Sequence, residues 1–254
     1  MTLRIAAATD VGLRRDHNED FHAFWSPADP TERERRGELM VVADGMGGSV
    51  AGEVASRAAV EAVVHHYRDR AEAPQLALQR ALEAAHRTVY RMSRERPELA
   101  GMGTTCTAVA VRGTEVRIAH VGDSRAYLVR DERIRQLTAD HSLVQQLVEQ
   151  QLMTPEQARV DPRRNVLTRS MGVGEAVEVD AAELSGGLRT GDTLLLCSDG
   201  LHGLVHDDEM ASHASQNDLD RACAELVSLA RARGGHDNIT VMLARLATAE
   251  APGD

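Results

Sequence analysis

The sequence predicts an α+β sandwich in which helices cover antiparallel sheets, and three observations predict it. Short apolar runs rich in β-branched residues recur from end to end. The central runs are joined by a few polar residues, too few for the crossover that a parallel pair needs. Segments between the runs carry apolar residues at helical spacing.

The first strand candidates are Leu3–Ala8 and Leu39–Ala43. Ala51, Val54, Ala55, Ala58 and Ala62 then form one helical stripe, and Leu78, Leu82, Ala85, Val89 and Met92 a second. Thr104–Val111, Glu115–Val121 and Arg125–Arg130 read as consecutive strands, joined through Arg112-Gly113-Thr114 and Val121-Gly122-Asp123 as hairpins. Thr138–Ser170 departs from this pattern. It is polar, with one short amphipathic helix around Leu143–Val148 and a loop containing Pro155 and Pro162, and reads as a flap over a site. Strands at Thr193–Cys197 and Ile239–Leu246 bracket a third helical stripe, Leu219, Ala222, Cys223, Leu226, Val227 and Ala230. No repeat or long linker divides the chain, so residues 1–247 are expected to form one domain and 248–254 a flexible tail, with Ala247 at the fraying boundary.

Composition narrows the chemistry. A formal net charge of -10 and 2% aromatic residues disfavour a nucleic-acid partner, which wants a positive surface and stacking platforms. All 29 basic residues are arginine. Without lysine there is no Walker-type phosphate loop, no Schiff-base nucleophile and no kinase-type lysine. The three cysteines, Cys106, Cys197 and Cys223, are scattered in apolar surroundings, unlike a disulfide framework or zinc site. No stretch approaches the roughly 20 apolar residues of a membrane span. A soluble cytoplasmic protein is expected, and the Ala- and Arg-rich usage suggests a GC-rich bacterial genome.

Aspartates recur at strand ends, in Val42-Ala43-Asp44-Gly45, in Cys197-Ser198-Asp199-Gly200, and in Asp237-Asn238 before Ile239. Carboxylates at core edges cost several kcal/mol unless neutralised, and either arginines or metal ions could serve. The glycines beside Asp44 and Asp199, with Met46-Gly47-Gly48, permit a close backbone approach that a salt bridge does not need. That favours metal. Hard oxygen donors select Mg²⁺ or Mn²⁺ over Zn²⁺.

Thr9-Asp10-Val11-Gly12 through Arg15 to Asn18-Glu19-Asp20, ADGMGGS at 43–49, GMGTT at 101–105, VGDSRAYL at 121–128, LTADHSLVQQLV at 137–148, RNVLTRSMG at 164–172, GDTLLLCSDGL at 191–201 and DNITV at 237–241 occur in that order. Together they resemble the bacterial metal-dependent protein phosphatases, also called type 2C serine/threonine phosphatases. The resemblance implies a four-layer α+β sandwich, two antiparallel sheets face to face with helices on both outer faces. It also implies hydrolysis of phosphoserine and phosphothreonine in proteins by a water or hydroxide bridging two Mn²⁺ or Mg²⁺ ions. On this reading Asp44 bridges the ions and positions the water. The Gly45 carbonyl, Asp20, Asp199, Asp237 and, through water, Glu19 complete the shell; Asp123 and Asp199 hold a third, weaker ion; Arg15 grips phosphate. The partners implied are phosphoproteins and a Ser/Thr kinase whose work the enzyme opposes, and the chain is expected to be a monomer. A pseudophosphatase or a phosphatase dedicated to one regulatory partner are the alternatives.

Two positions depart from relatives. Met46 stands where animal members carry a histidine that is a candidate general acid, and Arg159-Val160-Asp161-Pro162 replaces a histidine-bearing flap segment. Other motifs read more plainly. Cys106 and Arg112 fit Cys-x5-Arg in number, but Thr107–Val111 has strand character rather than a glycine-rich phosphate loop. His65-His66 and the run Arg33, Arg35, Arg36 read as solvated faces, whereas His141 and His236 are candidates to touch substrate or ligand-bound water.

Overall fold

The computed structural model describes residues 2–47, 50–69 and 74–247. Gly48 and Ser49 of the ADGMGGS motif and the expected tail, 248–254, lie outside the described residues.

One sheet has the order β1 (Thr2–Asp10), β11 (Ile239–Ala247), β10 (Thr193–Cys197), β7 (Arg125–Arg130), β8 (Arg133–Gln136). The other runs β2 (Asp20–Trp25), β3 (Glu38–Met46), β5 (Cys106–Arg112), β6 (Glu115–Val121), β9 (Asp180–Glu183), with β4 (Gly103–Thr104) against the end of β3. Every pairing is antiparallel.

Strand alternation distributes the apolar side chains over three cores. Met40, Val42, Val109 and Ile118 point from one sheet to meet Leu128, Leu194, Leu196 and Met242 of the other. The opposite faces of those strands carry Leu39, Val41, Ala108 and Ala119, which pack on α2 (Val50–Asp69) and α3 (Pro74–Glu95). Tyr127, Leu195, Cys197 and Leu243 pack on α6 (Asp199–His202), α7 (Asp207–Ala214) and α8 (Leu219–Ala232). Strands buried on both faces read as continuous apolar runs, which made them legible. The result is the expected four-layer sandwich.

Local departures have local causes. The run read as one strand from Thr104 breaks at Thr105, whose N–H and hydroxyl both turn to Asp44. On α2 the innermost seam is Ala51, Ala55, Ala59 and Val63, with Val54, Ala58 and Ala62 packed beside it. The flap holds α4 (Leu143–Glu149) and a second helix, α5 (Pro155–Val160), where a loop was expected. Thr154 caps α5 reciprocally with Gln157, and Pro155 sits at the first turn, where a missing N–H costs nothing. A further short helix, α1 (Pro30–Arg36), starts at Asp29, whose side chain accepts from Thr31 N–H with Pro30 at the first turn, and carries the basic run, where Arg35 and Arg36 pair with Glu32.

The flap is fastened at both ends. His141 N–H donates to the Gly122 carbonyl at 2.7 Å, Gly122 N–H returns a bond to His141 Nδ1 at 3.0 Å, and Thr168 N–H donates to the His141 carbonyl. Beyond them Met171 and Thr104 exchange backbone hydrogen bonds.

Candidate active site

The carboxylates gather at one end of the two sheets. Asp44 lies near the end of β3 and faces Asp20, the first residue of β2, in register. Asp44 N–H donates to Thr105 Oγ1 at 2.9 Å, while its carbonyl accepts from Thr105 N–H and Thr104 Oγ1. Its backbone is thus fixed from both sides, and its side chain feels the neighbouring carboxylates of Asp20, Asp199, Asp123 and Asp237.

The neighbouring glycine is required. Gly45 donates to the Glu19 carbonyl at 3.0 Å, and a Cβ at Gly45 would lie 2.1 Å from the Gly52 carbonyl oxygen of α2. Helix, strand and the Glu19 loop therefore meet backbone to backbone.

Asn238, buried immediately after Asp237, organises the loop that carries Arg15 and Glu19. Its Oδ1 accepts from Glu19 N–H at 2.7 Å, and its amide donates to the Val11 and His17 carbonyls at 3.0 and 2.9 Å. Ser198 does similar work between sheets, donating to Asp20 Oδ2 at 2.7 Å and accepting from Thr240 N–H. Sequence reasoning gave neither residue a role. Its only signal was that each adjoins a candidate ligand.

Arg15 Nη2 donates to Asp237 Oδ2 at 2.8 Å, and Nη1 lies 3.5 Å from Glu19 Oε2. The hydrogen bond to Asp237 holds the Arg15 pKa above its ordinary value. Asp123, buried at the β6–β7 turn, also faces this end, and its carbonyl accepts from His202 Nε2 at 3.0 Å.

Burial pushes Asp20 up to about 7, reinforced by Asp199 and Asp237. Burial likewise raises Asp199 to about 6, together with Asp237. Asp44 and Asp123 are raised well above the carboxylate range, first by burial and then by neighbouring carboxylates. Glu19 is raised mainly by burial. The buried Glu19 Oε1, Asp20 Oδ1 and Asp199 Oδ1 have no hydrogen-bond partner. Among the described residues no three His, Cys, Asp or Glu side chains close into a shell, so the fit to a cation rests on this chemistry. The donors are all oxygens, several are buried and unpartnered, and their repulsion is what divalent charge relieves; they fit a hard divalent ion.

The other sequence candidates separate clearly. His236 is exposed and borders a cavity of about 400 Å³ beside Asp123 and Asp199. His141 is buried, held by Gly122 and 3.2 Å from Asp180, so it anchors the flap. Cys106 is buried inside β5, and burial pushes its thiol up to about 12, while Arg112 at the far end pairs with Glu115. That pair is no phosphate loop. His65 is exposed beside Asp69.

Residues 14–244 match the family description Protein phosphatase 2C. The chain belongs to the protein phosphatase 2C family. Among curated members of that family, it is 39% identical over 241 residues to the serine/threonine phosphatase stp of Listeria monocytogenes serotype 4b, covering 92% of each chain. It is 37% identical over 245 residues to the serine/threonine protein phosphatase PstP of Mycobacterium tuberculosis, covering 96% of this chain and 45% of that protein. The PstP catalytic domain, solved in complex with two manganese ions, superposes with a TM-score of 0.81 at 35% identity, covering 97% of this chain and 99% of that one.

Proposed function

We propose that this protein phosphatase 2C member hydrolyses phosphoserine and phosphothreonine in proteins, using divalent ions held by Asp44, the Gly45 carbonyl, Asp20, Asp199 and Asp237, with Glu19 acting through water. The observation that carries the reading is the convergence of these acidic groups, in a chain of this family, next to an arginine that Asp237 holds in place. Ions bound there would activate water and offset charge on the phosphoryl group.

The chain's own groups do the rest. Asp237 and Glu19 orient the Arg15 guanidinium, whose remaining N–H donors reach solvent and suit two phosphate oxygens at once. Thr104 and Thr105 fix the Asp44 backbone, Ser198 fixes Asp20, and Asn238 fixes the Arg15–Glu19 loop. Met46 has no proton to give and is not the general acid. Asp123 with Asp199 would hold a third, weaker ion. Mn²⁺ and Mg²⁺ both suit the donors. We further propose a monomeric cytoplasmic enzyme that opposes a Ser/Thr kinase. Among the described residues no helix is long and apolar enough to cross a membrane.

The test is hydrolysis of phosphothreonine and phosphotyrosine peptides by metal-stripped protein with Mn²⁺ or Mg²⁺ restored, for wild type and Asp199→Asn. Metal-restored turnover of the phosphothreonine peptide, lost in the variant, is the expected result. Silence of wild type with either metal would overturn the reading.

A further inference from the structure

Asp123 sits in the turn that joins β6 to β7, and hydrogen bonds hold that turn at each residue from Gly122 to Ser124. Ser124 Oγ and Thr105 Oγ1 are 2.7 Å apart, and the Ser124 carbonyl accepts from Thr107 Oγ1 at 2.9 Å. The Asp123 carbonyl accepts from His202 Nε2 of α6 at 3.0 Å. Gly122 is held from the start of the flap. Its carbonyl accepts from His141 N–H at 2.7 Å and its N–H donates to His141 Nδ1 at 3.0 Å, so one histidine clasps both polar groups of the residue before Asp123.

The direction of the second bond settles where the ring carries its proton. Gly122 N–H is buried and can only donate, so Nδ1 must offer a lone pair. Burial holds the His141 pKa below its ordinary value, so the ring is neutral at pH 7 and its single proton lies on Nε2, 3.2 Å from Asp180 Oδ2. Asp180 is itself placed by its pairing with His120 across β6 and β9 and by Arg169, whose Nη1 donates to it at 2.6 Å. A carboxylate behind the ring thus favours the tautomer that presents an acceptor to the turn.

We propose that His141 is a positioning residue for Asp123: by accepting from Gly122 N–H it fixes the turn that sets Asp123 beside Asp199, and with it the affinity of the weaker ion that those two carboxylates hold. The proposal rests on the phosphatase reading above. It requires one atom of the ring, the acceptor at Nδ1. Asp44 and Asp20 are fixed by Thr104, Thr105 and Ser198, so the tightly held ions do not depend on His141.

Asparagine and glutamine separate this role from the filling of space. Asparagine is smaller than histidine but places Oδ1 where Nδ1 stands, whereas glutamine is closer in size and carries its amide beyond that point. Two measurements on wild type, His141→Asn and His141→Gln test the proposal. The first is hydrogen exchange of the Gly122 amide in metal-free protein, expected to stay within about twofold of wild type in His141→Asn and to quicken about tenfold in His141→Gln. The second is Mn²⁺ titration of metal-stripped protein, with Asp123→Asn as the reference for loss of the weaker ion. His141→Gln should weaken that ion about tenfold and leave the tightly held ions unchanged, and His141→Asn should retain all of them. A glutamine variant equal to wild type in both measurements, or an asparagine variant no better than the glutamine one, would overturn the proposal. Tight Mn²⁺ binding by wild type with no weaker ion, or a weaker ion that survives Asp123→Asn, would overturn the claim on ion affinity. Wild type that binds no Mn²⁺ would remove the phosphatase reading and that claim together, while exchange at Gly122 still decides whether His141 fixes the turn.

Discussion

Replacing Asp20 by asparagine should stabilise the metal-free protein, although it removes a functional group. The side chain is 6% exposed, Ser198 donates to Oδ2, and Oδ1 has no partner. Asparagine keeps an oxygen for Ser198 and discards the charge. The rise of Asp20 from 3.8 to about 7 corresponds to about 4 kcal/mol against the ionised form. Part of that is repulsion shared with Asp199 and Asp237, and an amide still costs something to bury, so about 2 kcal/mol is the expected gain at pH 8. For a chain of this size that is about 5 °C in Tm.

The sign follows from linkage. A raised carboxyl binds its proton more tightly in the folded state, so its contribution is fully present below the ordinary value of 3.8 and is lost as pH rises through about 7. Wild type with chelator should therefore lose stability between pH 5 and pH 8, and the advantage of Asp20→Asn should appear at pH 8 and shrink at pH 5. Added Mn²⁺ should raise the wild-type Tm at pH 8 and raise that of the variant much less. Scanning calorimetry reads all of this. A variant less stable than wild type at pH 8 in chelator, or equally favoured at both pH values, would refute the reasoning.

Further outcomes follow from other contacts. Asn238→Ala leaves three backbone groups without a partner and should cost about 3 kcal/mol, read as a lower urea midpoint. Gly45→Ala drives a methyl into the Gly52 carbonyl and should cost more than about 4 kcal/mol, read as loss of the cooperative transition. Arg15→Ala should lower kcat/KM for a phosphothreonine peptide about 100-fold without weakening Mn²⁺ binding; unaltered kinetics would remove Arg15 from the mechanism.

Most elements legible in sequence were buried on both faces. β3, β5, β10 and β11 are nearly continuous apolar runs, and α8 shows every residue of its predicted stripe buried, whereas β1 at a sheet edge and β6 with Glu115 and Arg117 were legible despite exposed or polar positions. Those missed lie at edges. β2 mixes Asp20 and His22 with aromatics, β8 is Arg-Ile-Arg-Gln, and β9 is Asp-Ala-Ala-Glu, each too polar or short to declare itself. The turn joining β7 to β8 uses Asp131 and Glu132 at positive φ, a conformation that their residue types do not announce. In the site, acidic residues beside glycine stood out because their cost demands compensation. The neutral residues that hold them, Asn238, Ser198 and Thr105, did not, since an amide or hydroxyl beside a carboxylate suits any turn. Arg159 stood out only as part of an unusual flap segment, because the His202 and Val205 carbonyls to which it donates lie more than forty residues away.

The central claim is that the gathered carboxylates hold the divalent ions on which hydrolysis depends. Equilibrium dialysis of metal-stripped protein against Mn²⁺, comparing wild type with Asp44→Asn, tests it most directly. The account predicts two tightly held ions per wild-type chain and loss of at least one in the variant; no tight Mn²⁺ binding by wild type, or full occupancy in Asp44→Asn, would contradict it.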